Sequence, residues 1–245
     1  MPGQIRNLQH YVKNANHSNM NRQMVIEDEM ELLSDAAANV KTPGFQVRMP
    51  HMKEHIQHGI SYVAKKGHIR DLNRGAAKHT GAPHDLYVSD GYFAVQAPDG
   101  VRYTLNGHFR INSANQLTTT EGYPVLSAGG APIVIPENTN IRVLTDGSIA
   151  GGNGEFITKI QISTFADEQA MNDEGMQGYF KADQPAIVPD NFEVVQGAVI
   201  GSNVRIVEVM GRLAILGHHW NDSHSHQKQE DETQFDVASK LAPVN

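Results

Sequence analysis

An α+β fold is predicted: terminal α-helices pairing as a coiled-coil-like layer, with a central all-β domain between them. Three observations predict it. Towards the C-terminal end, Ile206, Val209, Leu213, Leu216 and Trp220 follow steps of three, four, three, four, the heptad seam of one helix packing on another. Near the start, Ile26, Met30, Leu33, Ala37 and Val40 have the same rhythm. Between them, short apolar runs alternate with Asp-Gly and Asn-Gly pairs, which are hairpin signals. A helix with one apolar stripe must bury it. The two stripes pair with each other, or with copies of themselves, or else both helices pack on one globular core; five seam positions do not separate these readings.

The elements are justified in chain order. Residues 1–23 are polar, with Asn14, Asn16, Asn19 and Asn21 crowded together, and Asn is a poor helix former. A frayed start is therefore expected before a helix from about Met24 to Asn39. Glu27, Asp28 and Glu29 suit its early turns, where the helix dipole favours negative charge. Pro43 pushes Thr42 out of the helical region and Gly44 permits a turn, so the helix ends there. From Phe45 to His84 no clean period holds. His51, His55 and His58 would share one face if this stretch were helical, a possible zinc or nickel site. The order is not His-Glu-x-x-His, so the metalloprotease arrangement is absent, and a solvated polar segment is the plainer reading.

From Leu86 onwards the character changes. Strands are expected at Tyr92–Ala97, Val101–Leu105, His108–Asn112, Gln116–Thr119, Pro124–Leu126, Pro132–Pro136 and Ile141–Leu144. The turns expected among them include Asp90-Gly91, Pro98-Asp99-Gly100 and Asn106-Gly107. Phe156–Phe165 alternates and reads as a strand with one wet face. Gly151-Gly152-Asn153-Gly154 lacks the Lys-Ser/Thr end of a phosphate loop and reads as a hairpin loop. Tyr179-Phe180 is a short strand. No crossover helix fits between these strands, which excludes a parallel βαβ sheet. The closing helix is expected after Ser202, a good N-cap residue. Beyond Trp220 its seam turns polar; His218, Asp222 and His226 would share a face, a weak metal candidate beside a plain polar helix. The domain division that follows is 1–40 for the N-terminal segment and helix, 41–84 for an irregular connection, 85–195 for the β-rich domain and 196–245 for the C-terminal helix.

Composition narrows the function. The chain has 245 residues, 20 basic against 27 acidic side chains, and a net charge of −7, which argues against a nucleic-acid binder. There are no cysteines, so no thiolate site or disulfide frame exists. No apolar run is long enough to span a membrane, and MPGQIRNLQHYV has no apolar core of a secretory signal. The turn carboxylates Asp99, Glu121 and Asp146 are explained by turn chemistry, and no nucleophile elbow, phosphate loop or dinucleotide loop is present. No enzyme, cofactor or resident metal is expected.

Several stretches resemble the flagellar rod and hook proteins. Ala37-Ala38-Asn39-Val40-Lys41-Thr42-Pro43-Gly44-Phe45 is similar to the segment that ends their first helix. Thr80-Gly81-Ala82-Pro83-His84-Asp85-Leu86, followed by Asp90-Gly91-Tyr92-Phe93, resembles the way into their β domain. Tyr103–Phe109 and Gly122–Leu126 continue the likeness, and Gln196–Val204, with Glu208 and Met210, resembles the start of their last helix. The usual Gln-Arg-Ala-Tyr of that helix is replaced by Gly217-His218-His219-Trp220. The Thr-Pro-Gly-Phe and Gly-Ser-Asn-Val forms and the short length point to the proximal rod members, with distal rod or hook-type subunits as the alternative. The resemblance implies a hollow drive shaft polymerised through the terminal helices, with Ile26, Met30, Leu33, Ala37, Asn39, Val40, Ile206, Val209, Met210, Leu213, Leu216 and Trp220 at the assembly surface. It implies Pro43, Gly44, Asp90, Gly91, Asn106 and Gly107 as structural turns. It also implies other rod subunits, copies of the chain and the flagellar export apparatus as partners, and a place in the periplasm-spanning rod reached by type III export. A secreted β-domain module that binds a ligand such as a glycan is the alternative of another class.

Overall fold

The computed structural model describes residues 21–57, 60–137, 139–172 and 178–241. Its class is α+β. The first helix, α1, covers the described residues 21–38. Fifteen strands follow among the described residues: β1 (Arg48–Gln57), β2 (Ile60–Arg70), β3 (Ala77–His79), β4 (Leu86–Val88), β5 (Tyr92–Ala97), β6 (Gly100–Thr104), β7 (Phe109–Ile111), β8 (Leu117–Thr119), β9 (Arg142–Val143), β10 (Ser148–Ala150), β11 (Phe156–Lys159), β12 (Ile162–Ser163), β13 (Tyr179–Phe180), β14 (Val194–Gln196) and β15 (Ala198–Ile200). The last helix, α2, runs Ile206–Leu241. The chain divides into two compact units. The first gathers α1, 48–69 and α2; the second holds 39–47 and 70–204.

In the first unit, β1 and β2 pair as a two-stranded sheet. The stretch expected to be an irregular connection thus contains two strands of ten and eleven residues. Its His and Lys residues blur the period-2 signal that identifies a strand with one buried face. Because Arg48–Gln57 is a strand, the helical face expected for His51 and His55 does not form; His58 lies outside the described residues. Asp35 of α1 pairs with Arg48 of β1 at 2.7 Å, and Asp28 with His68 of β2 at 3.2 Å. Arg212 of α2 donates to Glu29 of α1.

The second unit is built on two apolar clusters. Leu86, Phe93, Val95, Leu117, Val125, Ile149 and Ile160 lie in the larger; Tyr92, Leu105, Phe165, Met171, Phe180 and Ile200 form the smaller. Strand β5 stands between them: Tyr92, Phe93, Ala94 and Val95 are all buried, so both of its faces are dry. The largest sheet has the order β12-β5-β6-β13, and a second has the order β11-β10-β9. The β5–β6 register closes with Ala97 opposite Gly100, so Pro98-Asp99 makes the expected tight turn. The β10–β11 pair makes 151–154 the expected hairpin loop.

Four expectations fail here. Pro124–Leu126 and Pro132–Pro136 make isolated bridges and not strands. Phe156–Phe165 is not one strand. Its halves, β11 and β12, belong to different sheets, and between them the backbone pairs elsewhere, Lys159 O accepting the Ala128 N–H and the Gln161 N–H donating to Leu126 O. Asn106-Gly107 is not a hairpin either: β6 and β7 do not pair, and β7 pairs with β8. The hairpin loop that exists there is 112–116. The Asn112 carboxamide accepts the N–H groups of Ala114 and Gln116 at 2.9 Å, and Asn115 takes a left-handed φ of 58°, a conformation Asn tolerates.

Candidate assembly surface

The helix seams are the first place to look for function. Of the expected N-terminal stripe, Ile26 is buried, while Met30, Leu33, Ala37 and Val40 are half-buried. The positions α1 buries are Ile26, Leu32 and Ala36, with Asn39 buried just past its end. The buried line is thus displaced by one residue from the heptad spacing. Of the C-terminal stripe, Val209 and Leu216 are buried and Leu213 and Trp220 half-buried, so one ridge of α2 is covered within the single chain.

The opposite face is not. Val207 is 83% exposed, Met210 and Ile215 56% each, and Ile206 37%. At 100° per residue, Ile206, Met210, Ala214, Val207, Gly211 and Ile215 sweep about half the helix circumference, away from the Val209–Leu216 ridge. Within Ile206–Gly217 the charged residues are Glu208 and Arg212, one step apart on the wheel. A helix that is apolar nearly all round is one that is buried on more than one side. Ser202, expected as the N-cap, lies four residues before the first helical residue; its hydroxyl accepts the Val204 N–H at 3.2 Å in the segment leading to α2.

The expected turn residues have separate reasons. Gly44 has φ 74°, and a Cβ there would lie 2.8 Å from the Leu105 and Asn106 backbone. Its N–H donates to Ile200 O, and Thr42 and Phe45 close the turn through Asn39 O and Thr42 O. Pro43 occupies the half-buried apex. The Asp90 carboxylate accepts the Gly91 N–H at 2.8 Å and is reached by Arg74 at 3.3 Å. A side chain on Gly91 would strike Ile162. The Asn106 carboxamide accepts the His108 N–H, while Gly107 lies so close to the Leu86 carbonyl that no Cβ fits.

Asn203 is a residue the sequence did not single out for a role. Its side chain reaches Val47, Asp71 and Asn73. The Asn-containing Gly-Ser-Asn-Val segment was visible, but nothing in its neighbours along the chain reveals partners more than a hundred residues away.

No group of three or more metal-ligating side chains gathers among the described residues. The side chain of His226 lies outside them, so the face expected for His218, Asp222 and His226 does too. No helix among them is long and apolar enough to cross a membrane. An open cleft in the second unit is lined by Pro136, Thr139, Asn140, Gly151, Gly152, Asn153, Glu155, Phe156 and Ile157.

A family model of the flagellar hook protein FlgE/F/G D1 domain matches residues 88–151. The flagellar basal-body rod protein FlgF of Mesorhizobium japonicum is 30% identical over 205 residues, covering 80% of this chain and 85% of its own length. FlgF of Salmonella typhimurium is 29% identical over 193 residues, with 71% and 76% covered. FlgG of Bacillus subtilis is 26% identical over 178 residues, with 62% and 67% covered.

Proposed function

This chain belongs to the flagellar basal-body rod protein family of FlgF and FlgG, and on that premise we propose that it builds the rod by laying its terminal helices against those of neighbouring subunits. It is a structural subunit of the flagellar basal body, in a family of rod proteins and not of enzymes. The observation that carries the assembly reading is the uncovered half of α2. Val207, Met210 and Ile215 stand in solvent on a helix whose other ridge is already covered. Neighbours supplied by a rod lattice would bury them, each fully buried side chain contributing about 1.5–3 kcal/mol.

Met30, Leu33 and Ala37, each half-buried in the single chain, supply the matching surface from α1 in this reading. The helices then form a coiled-coil-like inner layer, and the strand-rich residues 85–195 form the outer body. The partners are other rod subunits and further copies of the chain, placed in the proximal rod. The greater coverage shared with the FlgF relatives supports that position over a distal one. Delivery in this reading is by the flagellar export apparatus.

The test is the double substitution Val207→Asp with Met210→Asp in the full chain. Both side chains are exposed, so the purified protein is expected to keep its circular dichroism and thermal midpoint. Cells carrying it are expected to lose motility and completed rods by electron microscopy. Normal motility in such cells would count against assembly through this face.

A further inference from the structure

The chain crosses between its two units after residues 38, 47, 69 and 204. Inside the second unit, the segments next to three of these crossings are tied to one side chain. Asn203 Oδ1 accepts the Val47 N–H at 2.8 Å. Its Nδ2 donates to Asp71 O and to Asn73 O, each at 2.9 Å. The Asn203 N–H donates to Phe45 O at 3.2 Å, Asp71 N–H to Val47 O at 2.7 Å, and Gly201 N–H to Ala76 O at 2.8 Å. The Asp71 carboxylate accepts the N–H and side-chain amide of Asn73; this Asx turn holds the two accepting carbonyls in place. Gly75 and Gly201 touch so closely that a Cβ on Gly75 has no room beside Gly201 O.

The chemistry of the position asks for one acceptor and two donors on a short planar group. Asn supplies these, whereas Asp supplies no donor and Ser supplies one. Without it, a backbone N–H and two carbonyls lose their partners together.

We propose that Asn203 is a positioning residue for rod assembly. It clasps residues 45–47, 71–73 and 201–204 into one patch, so that these segments leave the β unit from fixed places, and incorporation into the rod depends on the clasp while the β core does not. The second half of this statement rests on the rod function proposed above.

The experiment uses the full chain with Asn203→Ala and Asn203→Asp, read by amide hydrogen exchange and by rod formation in cells. In Asn203→Ala, exchange at Val47 and Asp71 is expected to rise at least tenfold, while core amides such as Phe93, Val95 and Leu117 stay unchanged. In Asn203→Asp, the carboxylate still accepts from Val47, so Val47 stays slow; Asp71 speeds up because charge replaces two donors beside carbonyl oxygens. Cells with either variant are expected to export the subunit and complete few rods. A uniform rise in exchange through the core, an unchanged Val47 in the alanine variant, or failure of both variants to fold would each overturn the clasp. Faster exchange with normal rods would overturn its role in assembly and leave the rod function itself standing, since that is tested separately at Val207 and Met210.

Discussion

Gly44, Gly107 and Gly122 show two different reasons for a glycine, and they order the effect of one methyl group. Gly122 has φ 94° with open space where a Cβ would go, Gly44 has φ 74° and a neighbour at 2.8 Å, and Gly107 lacks the unusual φ but abuts Leu86 O. Gly122→Ala is expected to cost about 1 kcal/mol of stability from backbone strain. Gly44→Ala should cost about 3 kcal/mol, because strain and overpacking add, and Gly107→Ala about 3 kcal/mol or more, because its Cβ would meet the Leu86 backbone oxygen and the backbone itself must move. Urea unfolding of the three variants checks the order. The pairs Pro43-Gly44 and Asp90-Gly91 were legible as turns because their chemistry is local. Gly107 was legible as a special position, but its reason was not, since Leu86 lies twenty-one residues away.

Charge at the residue scale gives a pH prediction. Hydrogen bonds from the Ser148 hydroxyl and N–H hold the Asp146 carboxyl below the usual carboxylate range, with Lys159 adding to the effect. A carboxyl depressed in the folded state contributes stability that is present above its unfolded pKa, about 3.9, and lost as pH falls through the lower folded value. Ser148→Ala is therefore expected to flatten the loss of stability below about pH 4, with little change at pH 7 in the slope of stability against pH. The effect is small because the Asp146 side chain is more than half exposed. Burial acts the other way on Tyr92 and Tyr179, whose hydroxyls are pushed well above their ordinary range and stay protonated as donors to Glu168 and Glu121.

At the scale of elements, the displaced stripe of α1 shows what periodicity conveys and where it stops. Leu32 and Leu33 are neighbours, as are Ala36, Ala37 and Ala38. Two helical faces one residue apart are therefore equally apolar, and spacing alone does not choose between them. Packing chose Leu32 and Ala36, which are 6% and 0% exposed. Leu32→Ala is expected to destabilise by about 2–4 kcal/mol and Leu33→Ala by clearly less, as measured by thermal unfolding. Strand β5 was legible to the residue because Pro98-Asp99-Gly100 fixes its end. The β1–β2 pair was not, since Arg48–Arg70 mixes charged, His and apolar residues without a regular alternation in the sequence. The break between β11 and β12 was hidden for the opposite reason: Phe156–Phe165 alternates well enough to be one strand, and backbone pairing with Leu126 and Ala128, not the local sequence, divides it.

For the whole molecule, the exposed face of α2 sets how strongly two copies would attract in the assembly proposed above. Weighted by how exposed Ile206, Val207, Met210 and Ile215 already are, their complete burial contributes about 3–7 kcal/mol. Joining two free molecules costs about 4–15 kcal/mol in lost translation and rotation, so a single contact through this face barely breaks even. A lattice is different: in the proposed assembly each added subunit would meet several neighbours and meet the association cost once, which would make growth on an existing rod favourable where pairing in solution is not. The purified chain is accordingly expected to sediment as a monomer at micromolar concentration and to assemble only onto preformed rod. A stable dimer at that concentration would mean that some further surface, outside the α2 face, carries the association. Replacing Val207 and Met210 by alanine, which trims the apolar area without adding charge, should slow growth on the rod and leave the monomer's sedimentation unchanged.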